Sequence, residues 1–267
     1  MKCLKNQPIG IFDSGIGGLT VARSIRKALP GENMIYFGDT ARVPYGNKSR
    51  DTIIRFACEI VKFLVKKKVK MIVIACNTAS SFSLNAIKKI YSGPVIGVIS
   101  PGVKEAIDVS ENGRIGVIGT NSTINSRSYN KEIAKYGPDI KFFSESCPLF
   151  VPLVENKFSN DDIAYDVAER YLKELKKKHI DTLILGCTHY PILKKVISSV
   201  MNGIKLVDSS SAVAKKVKDV LVKEDLLLSD KRSQGWTRCY VSDDVKGFRV
   251  NARIFFKKDI SIKKAVL

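Results

Sequence analysis

Short runs of apolar, mostly β-branched residues alternate along this chain with longer stretches in which apolar residues recur at helical spacing. Runs of three to five apolar residues, bounded by small or polar residues, are typical of strands that are buried on both faces. The runs that we predict to be strands are residues 9–12, 34–37, 71–75, 95–99, 115–118, 140–143, 182–185 and 205–207. Strands that alternate with helices predict βαβ units, so we expect an α/β fold with mainly parallel sheets.

The predicted strands form two similar sets. The matching segments, in the same order and at nearly constant offsets, are residues 9–14 with 115–120, 71–78 with 181–188 and, more loosely, 95–100 with 205–209. Two equivalent half-chains would produce this repeat. The alternative is a coincidence, because a strand followed by a small residue is common in parallel folds. Since Cys76 and Cys187 occupy matching places, we favour duplication.

The C-terminal segment has no partner in the repeat. It contains a predicted helix at residues 211–221, a polar turn at 229–235 and a strand-and-helix pair within 238–256. We expect this segment to pack against the first half of the chain. The predicted domains are therefore residues 1–98 together with 210–267, and residues 99–209.

Composition narrows the class of protein. A chain of 267 residues with 45% hydrophobic content can bury a sizeable core. No apolar stretch reaches the roughly 18 residues of a membrane span, and no signal peptide is recognisable, so we expect a cytoplasmic protein without a membrane partner. Six cysteines without a Cys-x-x-Cys pair, and only two histidines, predict reduced thiols and no metal centre.

The formal net charge of +19 allows several interpretations. It could indicate nucleic-acid binding, attraction to an anionic surface, or a composition rich in lysine. The basic residues are dispersed through helix-like stretches, and no aromatic stacking platform accompanies their runs. We therefore favour the interpretation that they form solvated helix faces.

Cys76 and Cys187 carry the clearest chemical signal. Each follows an apolar strand and a small residue, and each precedes polar residues that can open a helix. A helix N-terminus favours the thiolate, because the backbone dipoles stabilise the anion. For any single cysteine, a buried and unreactive thiol is the commoner interpretation. Two cysteines in equivalent contexts favour a chemical role.

Two opposed thiols can do what one cannot. If the two halves face each other, one thiolate can remove a proton from a bound carbon while the opposite thiol delivers a proton to its other face, which inverts the carbon. A single thiol nucleophile with a histidine base would suggest acyl transfer, but the second cysteine would then have no role. Pyridoxal chemistry is disfavoured, although no motif excludes a Schiff-base lysine, and we expect no cofactor.

Other candidates lie near the predicted strand ends. The glycines of the Asp-Ser-Gly-Ile-Gly-Gly turn at residues 13–18 allow close approach to a small anion, and Asp13 could accept from an ammonium group or orient a thiol. A dinucleotide loop is the rival, but Thr20 stands where the third glycine belongs. Tyr45 and the Gly46 amide could reach a ligand from a turn that, taken alone, is ordinary. His189 could assist Cys187 or bind substrate, although a lone histidine is more often structural.

Taken together, these residues resemble the glutamate racemases of bacterial cell-wall synthesis, within the aspartate/glutamate racemase superfamily. The resemblance spans nearly the whole chain. The matching motifs are Gly-Ile-Phe-Asp-Ser-Gly-Ile-Gly-Gly-Leu-Thr at residues 10–20, Tyr-Phe-Gly-Asp at 36–39, Arg-Val-Pro-Tyr-Gly at 42–46, Ala-Cys-Asn-Thr-Ala-Ser at 75–80, Cys-Pro-Leu-Phe-Val-Pro at 147–152 and Gly-Cys-Thr-His-Tyr-Pro at 186–191.

The resemblance implies a two-domain α/β isomerase, with pseudo-twofold related domains and an active site between them, that interconverts L- and D-glutamate without metal or pyridoxal phosphate and feeds D-glutamate to peptidoglycan assembly. Cys76 and Cys187 would be the two bases. The residues implied to bind glutamate are Asp13, Ser14, Tyr45, Gly46, Asn77, Thr78, Thr188 and His189, with Thr120 a weaker candidate. The polar groups implied to assist the thiols are Asp13, Asp39, Glu155 and His189.

The resemblance leaves some points open. Aspartate racemases look similar around both cysteines, but they tend to carry an acidic residue where this chain has His189, which favours glutamate. Relatives are often homodimers, so a homodimer is expected. Some relatives are reported to interact with DNA gyrase, and the high positive charge leaves a nucleic-acid or gyrase interaction open, although we do not favour it.

Overall fold

The computed structural model of the chain describes residues 2–228, 234–256 and 260–267. The strands among them are β1 (Ile9–Asp13), β2 (Met34–Gly38), β3 (Met71–Ile74), β4 (Val95–Gly97), β5 (Arg114–Gly119), β6 (Lys141–Ser146), β7 (Thr182–Gly186), β8 (Lys205–Val207), β9 (Thr237–Val241) and β10 (Ser261–Lys264). The α-helices are α1 (Lys2–Lys5), α2 (Leu19–Ala28), α3 (Arg50–Lys66), α4 (Asn77–Ile90), α5 (Ile99–Val109), α6 (Asn121–Asn125), α7 (Ser128–Ile133), α8 (Phe150–Glu155), α9 (Asp162–Lys176), α10 (Lys194–Val200), α11 (Ser209–Lys223) and α12 (Val245–Phe255). Short 3-10 helices cover Tyr45–Asn47, Ala134–Tyr136 and Tyr190–Leu193.

The strands form two sheets, and all of the pairings between described strands are parallel. The strand order is β10-β9-β2-β1-β3-β4 in one sheet and β6-β5-β7-β8 in the other. The run β2-β1-β3-β4 therefore has the same order as β6-β5-β7-β8. The predicted α/β class with parallel sheets is confirmed, and the matching strand orders agree with a duplicated unit.

The chain forms two compact units, Met1–Val98 with Ser210–Leu267, and Ile99–Ser209. The positive charge is divided unequally between them. The first unit contains 30 Lys and Arg against 12 Asp and Glu, a net +18, whereas the second contains 15 against 14. None of the helices in the described parts of the chain is long and apolar enough to cross a membrane.

The first unit buries both faces of its sheet, as a parallel sheet requires. Successive side chains of a strand point to opposite faces. Ile9 and Ile11 of β1 accordingly pack in one apolar cluster with residues of α2 and α11, whereas Phe12 packs in another with residues of α3 and α4. The second unit follows the same rule, since Val117 and Ile118 of β5 lie in different clusters. This burial holds the strand ends in fixed positions.

The predicted strand at residues 95–99 is wrong at its end. The strand β4 stops at Gly97, and Ile99 begins helix α5. Pro101 stands in the first turn of that helix, where its missing N–H removes no helical hydrogen bond. Val98 and Ile99 are buried, and their apolar character therefore could not separate the strand from the helix start.

The C-terminal segment adds two strands to the first sheet. Strand β9 pairs with β2, and β10 pairs with β9. Strand β10 was not predicted, because Ile262 is its only apolar residue and therefore no apolar run marks it. Most of the turn predicted at residues 229–235 lies outside the described residues.

Candidate active site

In the first unit, three neighbouring strands bring candidate residues to one edge of the sheet. Strand β1 lies between β2 and β3. The backbone amide of Asp39 donates to the carbonyl of Asp13, and that of Ala75 donates to the carbonyl of Phe12. Asp13, Asp39 and Cys76 therefore lie at the carboxyl ends of adjacent strands. This edge is where open α/β sheets bind ligands.

Cys76 is the N-cap of helix α4. Its Sγ accepts a hydrogen bond from the Ala79 amide at 3.4 Å and lies 3.8 Å from Ser14 Oγ. Cys76 is only 5% exposed. The 14-residue helix directs its positive dipole end and its free amides at the sulfur, which favours the thiolate. Asn77 and Thr78 form the first turn of the same helix and are buried beside the thiol.

Asp13 organises the turn that follows β1. Its Oδ2 accepts hydrogen bonds from the amides of Gly15 and Gly18, both at 3.0 Å, and its side chain is fully buried. Gly18 is required by close packing, because a Cβ atom there would lie 2.5 Å from Asp13 Cβ and 2.9 Å from Ala75 Cβ. The turn, the carboxylate and the residue preceding Cys76 are thus packed without spare space.

We predict that Gly18→Ala disrupts this corner of the site. The added methyl must displace Asp13 or Ala75, so we expect destabilisation of about 1–3 kcal/mol together with a large loss of activity at this site. Urea unfolding and steady-state kinetics would measure both effects. Gly15→Ala is the matched control for stability, because the nearest atoms to its added Cβ belong to Val43, at ordinary distances of 3.4 Å and 3.9 Å. Equal stabilities of the two variants would contradict the packing argument.

Asp39 and Tyr45 are joined in the turn that follows β2. Asp39 Oδ2 accepts from Arg42 Nε at 2.7 Å and from the hydroxyl of Tyr45. The Arg42 guanidinium also stacks over the Phe56 ring at 4.0 Å. Burial, and then the charge of Asp39, raise the pKa of Tyr45 well above its ordinary value. Tyr45 therefore stays protonated, and its hydroxyl donates a hydrogen bond to Asp39.

The second unit repeats this sheet edge with different residues. Strand β5 lies between β6 and β7, and Gly119 pairs with Gly186, so Thr120 and Cys187 follow adjacent strand ends. In the first unit, Ser14 and Cys76 occupy the equivalent places. Thr120 caps helix α6, accepting from the Thr123 amide at 3.3 Å. Thr120, Cys187 and Thr188 are all buried.

The expectation that a helix opens directly after Cys187 is wrong. Residues 187–189 form a turn, a 3-10 helix covers Tyr190–Leu193, and α10 begins only at Lys194. The reason is Pro191, which lacks an amide N–H and therefore cannot donate to the Cys187 carbonyl as the Ser80 amide donates to the Cys76 carbonyl at the start of α4. Cys187 therefore lacks a helix N-terminus of the kind that Cys76 caps.

His189 is the polar neighbour of Cys187. Its Nδ1 lies 3.9 Å from Cys187 Sγ, and its Nε2 lies 3.3 Å from Glu155 Oε1 at the end of α8. The His189 side chain is 3% exposed, whereas that of Glu155 is 33% exposed. Cys187, His189 and Glu155 thus form a continuous polar chain from the thiol toward solvent.

Sequence reasoning missed two supporting residues, Tyr190 and Ser242. Tyr190 is fully buried, and its hydroxyl donates to the carbonyl of Cys147 at 2.8 Å, which ties the Cys187 turn to the neighbouring segment. Ser242, after β9, donates to Asp39 Oδ1 at 2.8 Å. The only signal for Ser242 in the sequence is a polar residue directly after a strand, a feature shared by many strands that carry no site.

Cys58, Cys147 and Cys239 are also free thiols, but their surroundings differ from those of Cys76 and Cys187. Burial, followed by the negative charge of Glu145, raises the pKa of the Cys147 thiol. Burial raises the pKa of Cys239 to about 12. Both are therefore held as neutral thiols. No group of three or more His, Cys, Asp or Glu side chains in the described ranges is arranged to hold a metal ion.

Comparison with known proteins gives a consistent result. Residues 9–217 match the family described as Asp/Glu/Hydantoin racemase. The chain is 48% identical over 241 residues to the glutamate racemase of Geobacter metallireducens, covering 90% of this chain and 89% of that protein. Among solved structures, it is similar to glutamate racemase from Francisella tularensis in complex with D-glutamate, with a TM-score of 0.91 and 41% identity over 98% of both chains. It is also similar to a glutamate racemase isoform from Bacillus anthracis, with a TM-score of 0.94 and 37% identity over 98% of both chains.

A family match over most of the chain, relatives of this identity and two parallel sheets with equivalent cysteines lead to one conclusion. The chain belongs to the Asp/Glu/Hydantoin racemase family, among its glutamate racemases.

Proposed function

We propose that the protein racemises glutamate by a two-base mechanism in which Cys76 and Cys187 act on opposite faces of the α-carbon. The observation that carries this proposal is the equivalence of the two cysteines. Each is buried, and each follows the third strand of the matching strand orders, which is β3 in β2-β1-β3-β4 and β7 in β6-β5-β7-β8. One cysteine, as thiolate, removes the α-proton. The other, as thiol, delivers a proton to the opposite face, and the roles exchange in the reverse direction.

The two thiols are supported in different ways. Cys76 has the N-terminus of α4 and the nearby hydroxyl of Ser14. Cys187 has His189 within 3.9 Å, backed by Glu155. His189 could accept a proton from Cys187 or return one to it, whereas the backbone dipole of α4 beside Cys76 transfers no proton. In this proposal, Asp13 supports the first site by holding its turn in place.

The substrate is proposed to be glutamate, bound by polar groups from both units. In the first unit these are Ser14, Asn77 and Thr78, with Tyr45 and Gly46 on the turn after β2. In the second unit they are Thr120, Thr188 and His189. Amides and hydroxyls at helix starts suit carboxylate groups, because they donate to an anion. The net +18 of the first unit favours the approach of an anionic amino acid.

We further propose that the reaction needs no metal or pyridoxal cofactor and that its product, D-glutamate, serves peptidoglycan synthesis in a bacterial cytoplasm. The thiols can supply both proton transfers themselves. The location, the pathway and an assembly as a homodimer are proposed from the resemblance to glutamate racemases, several of which are encoded by bacteria.

The decisive test is racemisation of L-glutamate in D₂O by protein treated with a metal chelator. We expect the circular-dichroism signal to decay to zero while proton NMR shows deuterium entering the α-position of the product enantiomer. Deuterium appears because the thiol that delivers the proton has exchanged with solvent and carries a deuteron in D₂O. Aspartate, assayed in parallel, should have a much lower kcat/KM. An unchanged optical signal with glutamate, or a requirement for added pyridoxal phosphate, would refute the proposal.

A further inference from the structure

The carboxylate of Asp39 accepts three side-chain hydrogen bonds within the first unit. It is fully buried, and its Oδ2 accepts from Arg42 and Tyr45 on the following turn. Its Oδ1 accepts from Ser242 Oγ. A carboxylate offers about four lone-pair sites, and three donors already converge on this one. The described hydrogen bonds of Asp39 therefore connect it to the turn at residues 42–46 and to the C-terminal segment, and none of them connects it to a thiol.

Ser242 holds two parts of this region at once. Besides donating to Asp39, its Oγ accepts from the Ala41 amide at 2.9 Å. The next residue continues the contact, because the Asp243 amide donates to Thr40 Oγ1 at 2.9 Å and the Thr40 hydroxyl donates to the Asp243 carbonyl at 2.5 Å. The C-terminal segment is therefore fastened to residues 39–41, directly before the turn at residues 42–46.

The arrangement fixes the orientation of Asp39. With Oδ1 held by Ser242, Oδ2 faces Arg42 and Tyr45 together. Arg42 is braced further by an ion pair with Glu59. Without the Ser242 hydroxyl, Oδ1 would lose its described donor, and the carboxylate could rotate away from one or both residues of the turn. A buried acceptor left without its donor is costly, so the turn would rearrange instead.

We propose that Ser242 is a positioning residue for the turn at residues 42–46, acting through Asp39, and that the C-terminal segment thereby sets the affinity of the first unit for its substrate. The inference rests on the proposed function, in which Tyr45 and Gly46 contact glutamate. It assigns Asp39 the task of holding this turn rather than of tuning a thiol.

The test is the kinetics of Ser242→Ala with both enantiomers, beside the wild type. We expect KM for glutamate to rise about tenfold while kcat stays within about twofold, because uniform binding is lost and the proton-transfer groups are unchanged. Ser242→Thr keeps the hydroxyl and should restore most of the KM. Lys264→Met is the matched control, since it breaks only the exposed pair of Lys264 with Asp243 on the same segment. It should behave as wild type.

A double-mutant cycle separates positioning from general loosening. Tyr45→Phe removes the hydroxyl that donates to the other oxygen of Asp39. If Ser242 acts through Asp39 on Tyr45, the double variant Ser242→Ala with Tyr45→Phe should raise KM by much less than the product of the increases in the two single variants. If the two increases in KM multiply fully, or if Ser242→Ala leaves KM unchanged while the wild type is active, the positioning role of Ser242 is refuted and the proposed function is unaffected. A wild type that neither racemises glutamate nor binds it in calorimetry would reject the proposed function and this inference with it.

Discussion

Cys76→Ser is expected to reduce racemisation by a factor of about 10² to 10⁴ in both directions, the usual contribution of a positioned acid or base. A serine hydroxyl is far less acidic than a thiol, so it cannot supply the basic anion. The equilibrium constant between enantiomers is one, and therefore kcat/KM must fall equally for L- and D-glutamate. Circular dichroism starting from each enantiomer would measure both rates.

Two features make Cys76→Ser a sharp test. Serine is a favoured N-cap residue, so helix α4 should keep its start and the fold should be retained. Cys58→Ser is the matched control, because Cys58 lies partly exposed within α3 and is not among the residues at the strand ends that carry the site. Its activity should equal that of the wild type. Substantial racemisation by Cys76→Ser would show that Cys76 is not one of the bases.

Lys70→Met is expected to cause the largest loss of stability, about 3–5 kcal/mol. Lys70 Nζ lies 2.6 Å from Glu32 Oε2, and the two side chains are 0% and 3% exposed. The same nitrogen donates to the carbonyls of Lys5 at 2.7 Å and Leu226 at 2.9 Å. Removing it would leave a buried carboxylate without its cation and two carbonyls without this donor.

Urea unfolding followed by tryptophan fluorescence would measure this effect. Trp236 is the only tryptophan of the chain, and its amide donates to Asn33, next to Glu32. Lys264→Met, in an exposed ion pair of the same unit, should leave the unfolding midpoint near that of the wild type. Adding Glu32→Leu to Lys70→Met should recover part of the loss, because an apolar pair tolerates burial. A wild-type midpoint for Lys70→Met would disprove a structural role for the pair.

Local sequence patterns predicted much of the fold because they record local burial. The apolar runs marked β1, β3, β5 and β7, which are buried on both faces, and they failed for β10, where only Ile262 is buried. The repeat of segments anticipated the equal strand orders of the two sheets. The candidate residues after β1 and β3 followed from the same reasoning, since parallel strands end at one edge.

Cys187 shows where local reasoning failed. Its polar neighbours resemble those of Cys76, and both cysteines were expected to precede a helix. Pro191 delays the helix, so a turn and His189 surround the thiol instead. The sequence shows Pro191, but its effect depends on which amide must close the first helical turn. In α4 the Ser80 amide donates to the Cys76 carbonyl, and the equivalent position after Cys187 is Pro191, which has no N–H.

The sequence by itself therefore determined the α/β class, the duplicated strands and the two cysteines at equivalent strand ends. Only the tertiary structure decided which polar groups meet. Ser242 reaches Asp39 across 203 residues, and Lys70 reaches the Leu226 carbonyl across 156. Periodicity specifies which face of an element is buried, but a hydroxyl or an ammonium group carries no local mark of its partner. That partner is chosen when the C-terminal segment adds its strands to the first sheet.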